Sequence, residues 1–271
     1  MSFVYKPPTE WIPPDSFPTE KLCQATEIAI DLETRDPSLK ELGPGYIRGD
    51  GEVVGISFAI DGYEDYFPFA HEQGFNFSKK KVIEFTKKIC ATESDKIFHN
   101  SSYDVGWLTR EGVPINGRII DTMVVAPLID ENQYWYSLNA LGREYINEGK
   151  TEAELNAAAE EWGLDPKAEM WRLPSAYVGT YATQDAALTL KLWNHFKILL
   201  EEQNLWNVFD LEMRVLPVIL AMKQKGVRVD TDRAETLKKQ LIKREKDIVQ
   251  QIKDESGVPE LQLWAANSLA K

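Results

Sequence analysis

The stretch Glu27-Ile28-Ala29-Ile30-Asp31-Leu32-Glu33-Thr34 constrains this chain more than any other. Its apolar run, Ile28 to Ile30, predicts a short buried strand. The strand ends in two carboxylates separated by one residue. Strand side chains alternate between faces, so Asp31 and Glu33 point the same way and Leu32 points into the opposite layer. Two like charges side by side at the end of a buried strand repel and desolvate each other. A divalent cation between them relieves that cost; so does simple exposure at the strand end. The spacing alone does not decide, because Asp50-Gly51-Glu52 and Asp210-Leu211-Glu212 share it.

Composition narrows what such a site could hold. A 43% hydrophobic fraction over 271 residues is enough for a sizeable core, in one large domain or one domain with an appendage. No run reaches the roughly 18 apolar residues of a membrane span, and the Pro- and Glu-rich start lacks the features of a signal peptide. Cys23 and Cys90 have no C-x-x-C spacing and suit a reducing compartment, which points to the cytoplasm. With three scattered histidines a zinc site is disfavoured. The expected metal is a hard cation bound by oxygen, Mg²⁺ or Mn²⁺. A formal charge of −12 argues against nucleic-acid binding by net electrostatics. It does not exclude an enzyme acting on nucleic acid, since part of the excess can sit in a metal cluster. The basic runs at Lys79–Lys81, Lys87–Lys88 and Lys238–Lys246 read as solvated helix faces.

Residues 1–24 read as an extended lead-in with five prolines, before the anchor strand at about 26–33. The Gly- and Pro-rich segment 34–51 predicts a loop. Val53–Ile60 is a second strand, Asp61-Gly62 a hairpin turn, and Tyr66–Ala70 a third strand. Ser78 is a candidate cap for a helix to about Ala91 with Val82, Ile83, Phe85 and Ile89 inward. Lys96–Phe98 is a short strand; Ser101 or Ser102 caps a helix to about Arg110. Ile119-Ile120 is a last strand before an apolar helix at 123–129. From residue 137 the pattern is helical, including Glu152–Trp162 and a long stretch from Pro174 to about Gln203 with a bend near Tyr181. Beyond it lie a helix at 207–225, a strand-like Val227–Val229 and a charged helix from Asp230 or Thr231 to about Glu255. Strands first and helices after, with an antiparallel meander at the start, argue an α/β sandwich rather than an all-parallel sheet. The domain boundary falls near 204.

Two further clusters carry carboxylates. Phe98-His99-Asn100-Ser101-Ser102-Tyr103-Asp104 comes after a strand and opens a helix. Tyr181-Ala182-Thr183-Gln184-Asp185 lies within a helix, where residues four apart share a face. Each has a plainer reading: Asp104 as an early-helix charge favoured by the dipole, Asp185 as a solvated face, Tyr181 as a packed aromatic. Taken together the plain readings weaken, because three carboxylate-bearing motifs each sit beside an apolar element.

The ordered series Asp31-x-Glu33, Asn100-x-x-x-Asp104 and Tyr181-x-x-x-Asp185 resembles the three motifs of the DEDDy 3′–5′ exonucleases. It is most similar to the proofreading exonuclease domain of family A DNA polymerases. The resemblance covers roughly 25–203, including Asp121-Thr122-Met123 and Ser137-Leu138-Asn139-Ala140-Leu141. Leu216-Pro217-Val218 and Gly226-Val227-Arg228-Val229-Asp230 resemble the segment leading into a polymerase thumb. Trp264-Ala265-Ala266-Asn267-Ser268-Leu269 resembles the beginning of the next polymerase segment. The chain ends without a palm or fingers. It departs from the pattern at Thr34-Arg35-Asp36-Pro37, where the family has a tighter stretch ending in a wedging Leu; Leu39 is the candidate substitute. His99 stands where these polymerases often have Gln.

The resemblance implies a ribonuclease-H-like three-layer fold, with a mixed five-stranded sheet, antiparallel first strands and flanking helices. It divides the chain into a lead-in (1–24), an exonuclease domain (25–203) and a helical, thumb-like extension (204–271). It also implies removal of 3′-terminal nucleotides from DNA with two divalent cations, Mg²⁺ or Mn²⁺. Asp31 would bridge both ions, Glu33 and Asp185 would complete the site of the water-binding ion, and Asp104 would support the second. Tyr181 would orient the attacking water. Asn100 and Tyr103 are candidates for holding the terminal nucleotide, with simple packing the alternative; Leu32, Thr34 and His99 complete the candidate substrate contacts. The implied partners are single-stranded DNA or a frayed primer end, and a polymerase domain in cis or as a separate subunit. A bacterial or phage-infected cytoplasm is the implied setting, without a membrane. Two other readings are an exoribonuclease of the ribonuclease D type and a non-catalytic spacer or docking module.

Overall fold

The structure, a computed structural model, describes residues 9–265. The first eight residues of the lead-in and the tail segment from Ala266 to Leu269 lie outside the described residues. In chain order the elements are α1 (Thr19–Gln24), β1 (Glu27–Arg35), α2 (Leu39–Leu42), α3 (Gly45–Arg48), β2 (Glu52–Ile60), β3 (Tyr63–Pro68), α4 (Lys79–Cys90) and β4 (Asp95–Phe98). Next come α5 (Ser101–Arg110), β5 (Ile119–Asp121), α6 (Thr122–Ile129), α7 (Leu138–Ile146), α8 (Ala153–Trp162), a 3₁₀ turn (Met170–Arg172), α9 (Ser175–Glu202), α10 (Trp206–Lys225) and α11 (Thr231–Ser256). Among these no helix is long and apolar enough to cross a membrane.

The five strands form one mixed sheet in the order β3-β2-β1-β4-β5. β1 runs antiparallel to β2 and parallel to β4, and β4 parallel to β5. This is the α/β, ribonuclease-H-like fold with a helical C-terminal region that the motifs implied. Asp31 lies opposite Ser57 and Glu33 opposite Gly55 on β2, while Ser57 lies opposite Tyr66 on β3. Residues directly opposite share a face, so one face of the sheet carries both carboxylates and Tyr66. That face is closed by an apolar cluster in which Tyr66 meets Leu155 and Ala158 of α8 and Tyr177, Tyr181 and Ala182 of α9. The other face buries Ile30, Leu32, Phe58 and Phe67 in the main core, with Val82, Phe85 and Ile89 of α4 turned inward as their spacing predicts.

Several local expectations give way to packing. The lead-in is not extended as far as residue 24: its last six residues form α1, which buries Leu22. The segment 34–51 is not a plain loop: it holds the two short helices α2 and α3. β3 begins at Tyr63, three residues earlier than its hydrophobic run suggests. Neither Ser101 nor Ser102 caps α5; Asn100 occupies that place in the left-handed region, with φ 73°. α9 runs unbroken through Tyr181, with Ala176, Val178 and Ala182 buried along it and no proline or glycine near Tyr181 on its C-terminal side to break the ladder. Val227–Val229 forms no strand with any described residue, whereas Asp230 does cap α11, accepting from Arg233 N at 2.9 Å.

By compactness the chain divides into residues 1–224 and 225–271. The sequence changes character near 204, but α10 buries Phe209, Met213, Leu216 and Leu220 in the main core. The second unit is built on α11, none of whose residues is buried.

Candidate active site

Three elements carry the carboxylates. β1 presents Asp31 and Glu33, α5 presents Asp104, and α9 presents Tyr181 and Asp185 one turn apart. α5 is placed by Asp121 at the end of β5. Its buried carboxylate accepts from Asn100 N (3.0 Å), Ser101 N (2.7 Å) and Met123 N (2.9 Å). These bonds satisfy backbone donors left over at the starts of α5 and α6 and hold Asn100 in its left-handed conformation. α9 is placed from its other end. His71 sits between the Tyr66 hydroxyl (Nε2, 2.8 Å) and the Leu173 carbonyl (Nδ1, 3.0 Å), just before the helix starts. A carbonyl only accepts, so Nδ1 carries the proton and Tyr66 donates to Nε2. Burial lowers the His71 pKa to about 4, which keeps the ring neutral. Tyr66 can cross β2 because residue 55 is glycine: a Cβ there would lie 2.1 Å from the phenol oxygen.

Asp31, Glu33 and Asp185 meet, one carboxylate oxygen from each lying within 4.8 Å of the other two. Their pKa values are all raised, first by burial and then, for Asp31 and Glu33, by the neighbouring carboxylates; Asp31 is pushed up to about 8. Asp104 stands outside the triad. It is near enough that, after burial, the charges of Asp31, Asp121 and Glu33 push its carboxyl well above the usual range. Asp185 Oδ1 is buried and has no hydrogen-bond partner among the described residues. Crowded anionic oxygens with an orphaned acceptor fit a hard divalent cation. The donors are all oxygen, as Mg²⁺ or Mn²⁺ requires.

Among the described residues the one cation of the protein's own in this cluster is Lys150, to which no motif assigns a role. Its ammonium donates to Asp185 Oδ2 and, at 3.2 Å, to the Tyr181 hydroxyl, and lies 5.0 Å from the Tyr181 ring centre. Burial opposes its charge, but Asp185, Asp31 and Glu33 outweigh that and hold its pKa above the ordinary lysine range. The loop around it is fixed on α9 by Gln184, which accepts from Thr151 N (2.6 Å) and donates to the Gly149 carbonyl (3.1 Å). One signal was available: Lys150 is the only basic residue between Arg143 and Lys167, in an otherwise acidic stretch. Tyr181 is itself pushed far up by burial, then by Asp185, so its phenol stays protonated.

The candidate substrate contacts do not behave alike. Leu32 is buried in the main core, on the face away from the carboxylates. His99 has both ring nitrogens occupied, by Thr122 Oγ1 (2.8 Å) and the Tyr136 carbonyl (3.0 Å). Asn100 accepts from Ser102 Oγ at 3.1 Å. Thr34 and Tyr103 meet directly, hydroxyl to hydroxyl at 2.7 Å. Both line a cleft with Leu39, the candidate for the missing wedge. Lys150, Tyr66 and His71 hold the site's parts in place and belong to no motif; Asp121 belongs with Thr122 and Met123 to the resemblance, which assigned it no role.

A mixed sheet of this order, with clustered carboxylates on its central strand, defines a ribonuclease-H-like protein with an acidic centre. Residues 18–201 match the 3′-5′ exonuclease family, and the chain belongs to it, in the branch carried by family A DNA polymerases. A DNA-directed DNA polymerase of Pseudomonas phage M6 is 34% identical over 267 residues, covering 95% of this chain and 40% of that protein. The chain thus spans less than half the length of the polymerase relatives it matches. Among solved structures, the POL domain of Pol1 from M. smegmatis, in complex with DNA primer-template and dNTP, is similar with a TM-score of 0.63 at 14% identity. That match covers 92% of this chain and 37% of the other. Brucella melitensis NrnC with bound Mg²⁺ is similar with a TM-score of 0.55 at 18% identity, over 77% of this chain and 90% of that one. At these identities both likenesses speak for the fold alone.

Proposed function

We propose that this chain is the proofreading part of a DNA polymerase, hydrolysing the 3′-terminal phosphodiester of a single strand or frayed primer end and releasing nucleoside monophosphates. The observation that supports it is the meeting of Asp31, Glu33 and Asp185 around an orphaned carboxylate oxygen in a chain of the exonuclease family. Asp31, Glu33 and Asp185 would hold one divalent cation, and Asp31 with Asp104 a second. Such ions, when bound, lower the pKa of water and neutralise charge on the phosphate and the leaving oxygen. Tyr181, kept protonated, is no general base; its hydroxyl orients the attacking water, and Lys150 holds that hydroxyl and Asp185 in register. Positioning and electrostatics therefore carry the rate. A mismatched end is cheaper to unpair, which favours removal of errors. The polymerase partner would be joined in cis or supplied as a separate subunit, in the cytoplasm of a bacterium or phage-infected host.

The test is digestion of a 5′-labelled single-stranded oligonucleotide by the purified chain with Mg²⁺. Stepwise shortening from the 3′ end is expected, with loss of activity in Asp31→Ala. Undiminished digestion by Asp31→Ala protein would overturn the reading. Matched DNA and RNA 3′ ends assayed in parallel would expose a ribonuclease.

A further inference from the structure

The segment 36–50, which begins within the stretch Thr34–Pro37 that departs from the family pattern, is built on a network of its own. Asp36 has a side chain only 3% exposed and is saturated with partners. Its Oδ1 accepts from Arg48 Nη2 at 3.0 Å; its Oδ2 accepts from Gly45 N at 2.9 Å and from the Tyr103 hydroxyl at 3.1 Å. Arg48 also pairs with Asp50 at 2.7 Å and donates to the Gly43 carbonyl, closing the segment on itself. The segment is then strapped to α5. Tyr46 donates to the Ser102 carbonyl (2.9 Å) and lies against Gly106, where a Cβ would come within 2.3 Å of its ring. Arg110 donates to the Gly45 and Asp50 carbonyls (3.1 and 2.7 Å).

This decides what Tyr103 can offer a substrate. A carboxylate only accepts, so the single phenolic hydrogen of Tyr103 is committed to Asp36, and Thr34 Oγ1 donates to the same oxygen. What remains is the ring. It borders a cleft of about 430 Å³ lined by Thr34, Pro37, Leu39 and Tyr103 on one side and Asp165 and Lys167 on the other, within the size range of ligand pockets. The far side is closed in a turn, Asp165 accepting from Lys167 N (2.9 Å) and Ala168 N (2.7 Å). Two of its lining residues, Thr34 and Tyr103, are the chain neighbours of Glu33 and Asp104, although the site carboxylates themselves do not line it. An aromatic face between Pro and Leu suits a nucleobase; the rim is of mixed charge, with Lys40 and Glu41 on one side and Asp165 beside Lys167, which pairs with Glu152 at 3.2 Å, on the other.

We propose that Asp36 is a positioning residue for substrate binding, fixing the Tyr103 ring as one wall of a base-receiving cleft built by segment 36–50. The inference rests on the exonuclease reading. Its test is a double-mutant cycle, Asp36→Ala against Tyr103→Phe, with KM and kcat measured on a single-stranded oligonucleotide and Mn²⁺ affinity measured by calorimetry. Asp36→Ala should raise KM about tenfold, the weight of one hydrogen bond to a charged group, with kcat within about twofold and Mn²⁺ affinity intact. In the Tyr103→Phe background, where the shared hydroxyl is gone and only the bonds to Arg48 and Gly45 remain to be lost, the same substitution should raise KM by clearly less than in the parent. Asp36→Glu should restore part of the loss, and Asp36→Asn replaces Asp36→Ala in the cycle should the latter fail to fold. Additive effects, an effect on kcat alone, or an unchanged KM would each overturn the inference while leaving the exonuclease reading standing. An inactive parent chain overturns both.

Discussion

The two ends of the central strand pair both bury charge, and they treat it in opposite ways. At the amino end of β4, beside Ile28 of β1, Lys96 is fully buried. Its ammonium is surrounded by acceptors: the Ser94 carbonyl at 2.8 Å, the Asn116 carbonyl at 3.0 Å, Thr92 Oγ1 at 3.2 Å and the Thr92 carbonyl. Three donors meet a full set of acceptors, and the residue ties the turn after α4 to the approach to β5. At the carboxyl end of β1, like charges converge, one oxygen is left over, and one lysine answers several carboxylates. A buried charge with a complete set of partners serves the fold. A buried cluster left frustrated is held in that state by the rest of the structure and is the expected mark of a site. The cluster also lies at the carboxyl ends of the parallel strands, where open α/β sheets place their ligands.

The sharpest way to break this contrast is to remove a charge at each end. Asp31→Ala or Asp185→Ala should lower kcat by about 10³-fold or more, since single electrostatic stabilisers are commonly worth about 10²–10³; Asp31→Ala should leave the melting temperature of the metal-free protein nearly unchanged, whereas Asp185→Ala also strips Lys150 of its partner and should lower it. Lys96→Met should do the reverse. It strips donors from buried carbonyls at a cost of about 3 kcal/mol, read as a lower denaturant midpoint, with activity per folded molecule unchanged. A Lys96 variant that melts like the parent would show that its acceptors are solvated after all.

Proton linkage separates the ends next. Asp31 has its pKa raised from 3.8 to about 8, so between those values the folded, metal-free chain holds a proton that the unfolded chain has released. Stability then falls as pH rises, because the native state binds more protons. Its favourable contribution is complete below about pH 4 and gone above about pH 8. Thermal scans in chelator should therefore show a falling melting temperature across that window, flattened in Asp31→Asn and reversed at the alkaline end by added Mg²⁺. A melting temperature that climbs through the window in chelator would contradict the crowding of charge at β1.

Much of this was legible in the sequence, for reasons that can be traced to particular residues. Strand alternation put Asp31 and Glu33 on one face, and helical spacing put Tyr181 over Asp185, because both periodicities are local. The order of the elements argued an α/β sandwich with an antiparallel start; the ribonuclease-H-like sheet was what the resemblance implied. What stayed hidden depends on distant pairing. Asp121 stands in the stretch Asp121-Thr122-Met123 that supports the resemblance, but that it takes the free amides of α5 shows only in the structure. Lys150 belongs to no motif and is set by Gln184, more than thirty positions away. Segment 36–50 reads as loop because its glycines and prolines mask the Asp36–Arg48 bond that folds it.

The smallest expected effect addresses the residue that makes the two ends comparable. Lys150 is the acidic end's counterpart of Lys96, but its single ammonium is shared between Asp185 and Tyr181 and stands where a metal ion would compete for the same carboxylate. Binding an ion there must displace or weaken a charge-assisted hydrogen bond of about 1.5–3 kcal/mol. Lys150→Met removes that competitor while keeping the length of the side chain. Calorimetry with Mn²⁺ should then show about tenfold tighter binding to the variant, the low end of that range, while kcat falls because the Tyr181 hydroxyl has lost its partner. Tighter binding with poorer turnover is an outcome that a lysine serving only the fold would not give. Equal or weaker Mn²⁺ binding would mean that Lys150 gives way freely, and the acidic end would then owe its frustration to the carboxylates alone.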